Sequence, residues 1–116
     1  MDLGIKDKVA FITGASSGIG LSTAEAFVKE GARVIICGRN QEKLEEAKKQ
    51  IKQNTGSEVG AYACDTSKFD QVEKTVNQIV KEYKRIDILI NNAGKAQAGG
   101  VVDAKPEDWK SMIEVK

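Results

Sequence analysis

Hydrophobic residues along the chain alternate between short continuous runs and positions spaced three or four residues apart. The continuous runs, typical of strands buried on both faces of a sheet, cover residues 9–13, 33–37, 59–64 and 86–90. The apolar positions at helical spacing are Leu21, Ala24, Phe27 and Val28, then Leu44, Ala47 and Ile51, then Val72, Val76, Ile79, Val80 and Tyr83. This pattern predicts strands and helices in strict alternation, with a last helix from Pro106 through Trp109.

Polar residues and glycines mark the ends of the predicted helices. Gly31 and Gly56 are expected to stop the first and second helices, because glycine readily adopts the left-handed conformation of a helix C-terminus. Asn40 is the N-cap candidate of the second helix. Ser67, with Asp70 three residues later, has the spacing of a capping box and predicts the start of the third helix.

The alternation predicts an α/β fold of the Rossmann type, a doubly wound parallel sheet with helices on both faces. Helical crossovers of this length join parallel strands with a right-handed turn. We expect the strand order 3-2-1-4, which places the carboxyl ends of the first and fourth strands side by side. Open α/β sheets bind their ligands at this switch point.

Composition and charge exclude several classes of function. A chain of 116 residues has room for one domain of ordinary size, and a net charge of +1 is too small to hold nucleic acid or an anionic membrane by field alone. The apolar runs are too short to span a membrane, and the N-terminus lacks the order of a secretion signal. We therefore expect a cytoplasmic protein.

The histidine and cysteine content narrows the chemistry further. The chain has no histidine, which excludes Ser-His-Asp triads and histidine-ligated zinc. Cys37 and Cys64 form no Cys-x-x-Cys pair. They are expected to be small buried residues on strands, and no metal site is predicted.

A glycine-rich turn follows the first predicted strand and precedes the first helix, where a helix N-terminus can bind phosphate groups. Gly14 would permit the tight turn, Gly18 the approach of a pyrophosphate, and Gly20 the close packing of helix on strand. The alternative is a turn that only needs positive φ, whereas a P-loop would require a Gly-Lys-Ser/Thr ending that is absent. The residues expected at the phosphates are Gly14, Ser16, Ser17, Gly18, Ile19 and Gly20.

Thr-Gly-Ala-Ser-Ser-Gly-Ile-Gly at 13–20, together with Asn-Asn-Ala-Gly at 91–94, resembles the short-chain dehydrogenase/reductase family. The resemblance implies hydride transfer between a nicotinamide cofactor and a small carbonyl or alcohol substrate. It also implies that the second motif lines the adenosine and nicotinamide-ribose site, and that Asp65, followed by Thr66, contacts the adenine. Asp65 could instead be only a helix-entry residue. The residues of the second motif are Asn91, Asn92, Ala93 and Gly94.

The end of the second strand indicates which nicotinamide cofactor is used. An NAD site usually has a carboxylate about 20 residues after the glycines, and an NADP site has an arginine nearby. Here Gly38 and Arg39 occupy the position, and Arg39 offers a permanently charged fork for a 2′-phosphate. We therefore expect NADP(H) to be preferred over NAD(H). The alternative is that Arg39 is an ordinary solvated side chain.

The family's catalytic Ser and Tyr-x-x-x-Lys find no counterpart in this sequence. Tyr62 is followed four residues later by Thr66, and Tyr83 by Asp87, so no catalytic residue is assigned. The resemblance covers the chain as the first half or so of a family member. Residues 1–116 are therefore interpreted as a dinucleotide-binding portion, truncated after the fourth strand and following helix and inactive alone. Lys116, where the family usually has Asn, is either a substitution or a junction.

Such a truncated sheet would leave the outer edge of the fourth strand unpaired, a template for association with another chain. We therefore expect self-association. An alternative function is a non-catalytic module that binds nucleotide or associates with a longer relative through this edge. A methyltransferase-like domain is a third possibility, but it gives no reason for the motif at 91–94.

Overall fold

Strands and helices alternate along the chain as the hydrophobic pattern predicts. The structure is a computed structural model that describes residues 4–16, 18–92 and 101–103. The elements in chain order are β1 (Val9–Thr13), α1 (Gly18–Lys29), β2 (Arg33–Gly38), α2 (Gln41–Thr55), β3 (Gly60–Ala63), α3 (Phe69–Tyr83), β4 (Ile88–Asn91) and β5 (Val101–Asp103).

The strands form one sheet in the order β3-β2-β1-β4-β5. β1 pairs in parallel with β2 on one side and with β4 on the other, with Ile12 opposite both Ile36 and Ile90. β3 adds in parallel to β2. The predicted fold class and the predicted order 3-2-1-4 are therefore confirmed, and the carboxyl ends of these strands lie at one edge of the sheet.

β5 corrects one expectation. It pairs antiparallel with β4, with Leu89 opposite Val102, so the prediction of an unpaired outer edge on β4 is wrong. Two consecutive β-branched residues, Val101 and Val102, favour a strand where a ladder is available. Self-association stays a prediction, and the outer edge of β4 is already used within the chain. The helix expected from Pro106 lies outside the described residues.

Hydrophobic side chains pack on both faces of the sheet, as a doubly wound fold requires. Alternate residues of β1 point to opposite faces: Ala10 and Ile12 pack with α1 and α2, and Phe11 packs with α3. The predicted helix positions that are buried are Ala24, Phe27, Leu44, Ala47, Ile51, Val72, Val76 and Ile79. Those that pack against the cores while partly exposed are Leu21, Val28, Val80 and Tyr83.

The helix ends agree with the sequence at α2 and differ at α3. Asn40 caps α2, because its side chain accepts a hydrogen bond from the Lys43 backbone N–H at 3.0 Å, and Gly56 ends that helix in the left-handed conformation. α3 begins at Phe69 after Lys68, which makes no side-chain cap bond. The predicted capping box at Ser67 is therefore wrong, and its side chain is used in the loop described below.

Candidate functional site

A cavity of about 370 Å³ opens at the carboxyl edge of the sheet. Its wall consists of the segments that follow β1, β2, β3 and β4. The lining residues are Gly14, Ser16, Cys37, Gly38, Arg39, Cys64, Asp65, Thr66, Ser67 and Asn92. The sheet therefore brings together segments up to 78 residues apart in sequence, between Gly14 and Asn92.

Most of the residues predicted for the cofactor meet at this wall or adjoin it. Those in the wall are Gly14, Ser16, Arg39, Asp65, Thr66 and Asn92. Those beside it in the chain are Gly18, Ile19, Gly20 and Asn91. Ser17, Ala93 and Gly94 lie outside the described residues. Ser67 was missed as a wall residue, although a serine two positions after an aspartate is a sequence signal for a local side-chain turn.

The glycine turn has the geometry that its spacing predicts. Gly14 and Gly18 both have left-handed backbones, with φ of 61° and 62°. A Cβ added at Gly20 would lie 2.1 Å from the Gly14 carbonyl oxygen, so a side chain there would push the turn away from α1. A Cβ at Gly18 would meet nothing within 4 Å. The turn is thus tightly packed at Gly20, against the Gly14 carbonyl, and open at Gly18.

The helix α1 begins at this turn, at Gly18. The first N–H groups of a helix have no partner within it and carry partial positive charge, which suits an anion. Ile19, in the first turn of α1, leaves 79% of its surface exposed and is the exposed large hydrophobic residue of the described chain. The partial positive charge of the α1 N-terminus and the exposed apolar side chain of Ile19 therefore lie next to each other.

The end of β4 is tied to the end of β1 through a buried threonine. Thr13 donates its hydroxyl hydrogen to Asn91 Oδ1 at 2.9 Å and accepts from the Asn92 backbone N–H at 3.2 Å. Nδ2 of Asn92 is buried and has no hydrogen-bond partner among the described residues. A buried donor without a partner is costly, and Asn92 is a wall residue of the cavity, so its Nδ2 is an unused donor next to the cavity.

Asp65 is the carboxylate of the cavity wall. Its Oδ1 accepts from the Ser67 hydroxyl at 2.7 Å and from the Ser67 backbone N–H at 3.0 Å. These bonds lower the pKa of Asp65, and the positive charges of Arg39 and Lys68 lower it further. Asp65 is therefore ionised at neutral pH. Its electrostatic contact with Arg39 joins the segments after β2 and β3 across the cavity.

The two cysteines line the inner part of the same wall, and both are buried as the sequence predicts. Cys37 Sγ lies 3.6 Å from the Cys64 carbonyl oxygen. A side-chain hydrogen bond with Cys64 and burial both raise the pKa of Cys37. Hydrogen bonds from Cys37 and Thr75 lower the pKa of Cys64. Cys37 is therefore the less acidic thiol of the pair, and Cys64 is the more acidic one.

Neither tyrosine belongs to this wall. The Tyr62 hydroxyl hydrogen-bonds to Glu82, and partial burial together with this bond raises the pKa of Tyr62. The ring of Tyr83 lies under the guanidinium of Arg33, 5.0 Å from centroid to carbon. The expectation that neither tyrosine is catalytic stays a prediction.

The described residues hold neither a cluster of metal ligands nor a membrane-spanning helix. Within residues 4–16, 18–92 and 101–103, no three His, Cys, Asp or Glu side chains converge as metal ligands would. No helix of the described chain has the length and apolar character needed to cross a membrane. The arrangement instead combines a glycine turn, a helix N-terminus, an arginine, a carboxylate and an unused amide donor, which suit the phosphates, ribose and base of a dinucleotide.

The model of one protein family, short chain dehydrogenase, matches residues 8–116. The chain belongs to the short-chain dehydrogenase family. The family is one of oxidoreductases that bind nicotinamide dinucleotides. The resemblance of the two glycine-containing motifs is therefore confirmed at the level of the family.

Individual relatives in the family agree over nearly all of this chain. A 3-dehydrosphinganine reductase of Arabidopsis thaliana is 47% identical over 111 residues, which are 96% of this chain and 33% of the relative. The structure of L-sorbose reductase from Gluconobacter frateurii, complexed with NADPH and L-sorbose, has a TM-score of 0.76 and 40% identity over 95% of this chain and 42% of its own.

A second solved structure differs in its cofactor. NAD⁺-bound xylitol dehydrogenase has a TM-score of 0.73 and 36% identity, covering 78% of this chain and 35% of its own. Members of the family therefore bind either cofactor on this fold, and the choice has to be argued from individual residues. The chain spans less than half of the length of each of these relatives.

Proposed function

We propose that residues 1–116 are the cofactor-binding portion of an NADP(H)-dependent short-chain oxidoreductase, which transfers hydride between nicotinamide and a carbonyl or alcohol substrate. Membership of the family supports the reaction class. The NADPH complex of L-sorbose reductase supports the cofactor by analogy. The preference for NADP(H) is the part of the proposal that depends on residues of this chain.

The observation that carries this preference is the composition of the wall after β2. Arg39 lines the cavity directly after Gly38, where an NAD site of this fold has its ribose-binding carboxylate. A Cβ at Gly38 would lie 3.5 Å from Ser16 Oγ, so the glycine leaves space beside the Ser16 hydroxyl, and Arg39 is the next residue of the wall. A 2′-phosphate in that space would accept hydrogen bonds from both Ser16 and Arg39.

The other wall residues would hold the remaining parts of the cofactor. The turn from Gly14 to Gly20 and the N-terminus of α1 would bind the pyrophosphate. Asp65 would accept a hydrogen bond from the adenine, and Asn92 would donate its unused amide hydrogen to the ribose. The bound nicotinamide would supply or accept the hydride. Because neither tyrosine faces the cavity, we expect no turnover from these residues alone.

Fluorescence titration with NADPH and NADH tests the proposal. We expect the chain to bind NADPH more tightly than NADH. Arg39→Ala should weaken NADPH binding about tenfold or more, the effect of losing a charge-assisted hydrogen bond, and should leave NADH binding nearly unchanged. Arg85→Ala is the matched control, because Arg85 is an exposed arginine that pairs with Asp87 away from the cavity wall.

An unchanged ratio of the two affinities in Arg39→Ala would refute the NADP(H) preference. Absence of binding by either cofactor to the unaltered chain would refute the dinucleotide site itself. The alternative function, an interaction module acting through an open β4 edge, loses its structural argument because β4 pairs with β5.

A further inference from the structure

The segment between β3 and α3 is held by a set of hydrogen bonds centred on Asp65. The backbone N–H of Asp65 donates to Oε1 of Gln71 at 2.9 Å, in the first turns of α3. Its carbonyl oxygen accepts from the Lys68 N–H at 3.0 Å. Its carboxylate accepts from Ser67. Asp65 is thus fixed through its backbone and through its side chain at once.

The two oxygens of the Asp65 carboxylate differ in their surroundings. Oδ1 receives both hydrogens of Ser67, from the hydroxyl at 2.7 Å and the backbone N–H at 3.0 Å. Oδ2 makes no hydrogen bond to any described residue, and Asp65 lines the cavity. A carboxylate that is bonded on one oxygen and open on the other is oriented to accept a hydrogen from a ligand.

We propose that Ser67 is a positioning residue, which fixes the Asp65 carboxylate so that its open oxygen accepts a hydrogen from the 6-amino group of an adenine and rejects a 6-oxo purine. This inference rests on the proposed dinucleotide site and adds a source of base specificity to it. A 6-oxo group presents an acceptor to the carboxylate, and two acceptors facing each other lose a hydrogen bond and repel.

The charged and titratable groups near Asp65 determine how this selectivity changes with pH. Arg39, from the end of β2, and Lys68, before α3, place positive charge near the carboxylate, and the thiol of Cys64 precedes it in the chain. The hydrogen bonds from Ser67 are the leading cause of the lowered pKa of Asp65. Without the Ser67 hydroxyl the pKa of Asp65 rises, so Asp65 becomes protonated at a higher pH when the solution is acidified. The selectivity for the 6-amino group should be lost at that higher pH.

The test compares NADPH with its hypoxanthine analogue, in which an oxo group replaces the 6-amino group. Dissociation constants are measured by fluorescence titration at neutral pH and in acid. For the unaltered chain we expect about tenfold tighter binding of NADPH, the scale of one charged hydrogen bond. Asp65→Asn should abolish the difference or reverse it, because an amide can donate to the oxo group.

Ser67→Ala should reduce the preference for NADPH over the hypoxanthine analogue several-fold. It should also raise the acid limit, the pH below which this preference is lost. Ser67→Thr, which keeps the hydroxyl, should restore both. Ser57→Ala is the matched control, since Ser57 is an exposed serine on the amino-terminal side of β3. A thermal melt of each variant records any effect on folding.

The outcomes separate this inference from the proposed function. Equal binding of NADPH and the hypoxanthine analogue by the unaltered chain would overturn the inference and leave the dinucleotide site standing. Failure of both to bind would overturn the proposed function and the inference with it. A Ser67→Ala chain that keeps the full preference and its acid limit, or weakens both ligands equally while melting earlier, would show that Ser67 has no positioning role.

Discussion

The segments that follow β2 and β3 begin alike and end differently. Each has a buried cysteine at the carboxyl end of its strand, Cys37 within β2 and Cys64 directly after β3. Each leads into a helix of 15 residues. After β2, the side chain of Asn40 caps α2 directly. After β3, Ser67 donates to Asp65, and α3 begins behind Lys68 without a side-chain cap.

The difference shows where polar side chains are kept for a ligand. A helix N-terminus is stabilised by a side-chain cap, and the sequence offers one to α3 at Asp65 or Ser67. The structure uses both residues in a side-chain turn at the cavity wall instead. A local rule that is broken beside a cavity is a signal of function. By contrast, the segment after β2 obeys the rule at Asn40 and provides the cavity with Arg39.

We expect the segment after β2 to select between NADPH and NADH, and the segment after β3 to contact the adenine that both share. Gly38→Asp tests this division of roles with the largest expected effect. A carboxylate at this position would face the 2′-phosphate of NADPH and could bond the ribose 2′-OH of NADH. We expect the ratio of NADPH to NADH affinity to fall about 100-fold, because juxtaposed like charges cost several kcal/mol. Fluorescence titration with both cofactors measures this ratio.

A matched change after β3 serves as the control for Gly38→Asp. Asp65→Asn should alter the affinities for NADPH and NADH by the same factor, since the adenine is common to both. The first carbon of the new side chain fits at Gly38, because an added Cβ has contacts of 3.5 Å or longer. A change of cofactor ratio in Asp65→Asn, or none in Gly38→Asp, would contradict the division of roles.

The two cysteines extend the comparison to reactivity. Hydrogen bonds from Cys37 and Thr75 lower the pKa of Cys64, whereas the bond to Cys64 and burial raise that of Cys37. Because the thiolate is the reacting species, Cys64 should be alkylated by iodoacetamide about tenfold faster than Cys37 near neutral pH. Mass spectrometry of the digested protein measures both rates.

Protection and substitution make the cysteine prediction sharper. Saturating NADPH should slow the alkylation of Cys64, since both thiols line the cavity that the cofactor would occupy. Cys64→Ser should leave Cys37 nearly unreactive, because its burial is unchanged. Faster labelling of Cys37 than of Cys64 would show that the hydrogen bond between them runs in the opposite sense.

The sequence predicts the parallel core well because each of its signals is local. The run at 9–13 is β1 without any change of boundary, and the apolar positions of α2 are the buried ones. β5 was missed because its stability comes from pairing with Leu89, a contact that no local pattern contains. At the site, Gly14 and Arg39 line the cavity, and their binding of a cofactor stays a prediction. The role of Ser67 depends on a choice between two local hydrogen-bond patterns.

The smallest expected effects are on the free energy of unfolding, and they depend on whether Ser67 forms a capping box or a side-chain turn. Asn40→Ala removes a side-chain cap and should lower the free energy of unfolding by about 1 kcal/mol. Ser67→Ala removes a hydroxyl that caps no helix, at an exposed position, and should change it by only about 0.5 kcal/mol or less. Urea denaturation of the two variants and the unaltered chain measures both differences.

The contrast between these two variants reverses when ligand binding is measured. Asn40→Ala should act mainly on stability and only weakly on the preference for NADPH over its hypoxanthine analogue. Ser67→Ala should act mainly on that preference and only weakly on stability. If Ser67→Ala were as destabilising as Asn40→Ala, the serine would be supporting the start of α3 after all. The segment after β3 would then be an ordinary helix entry, and the difference between the two segments would have no functional meaning.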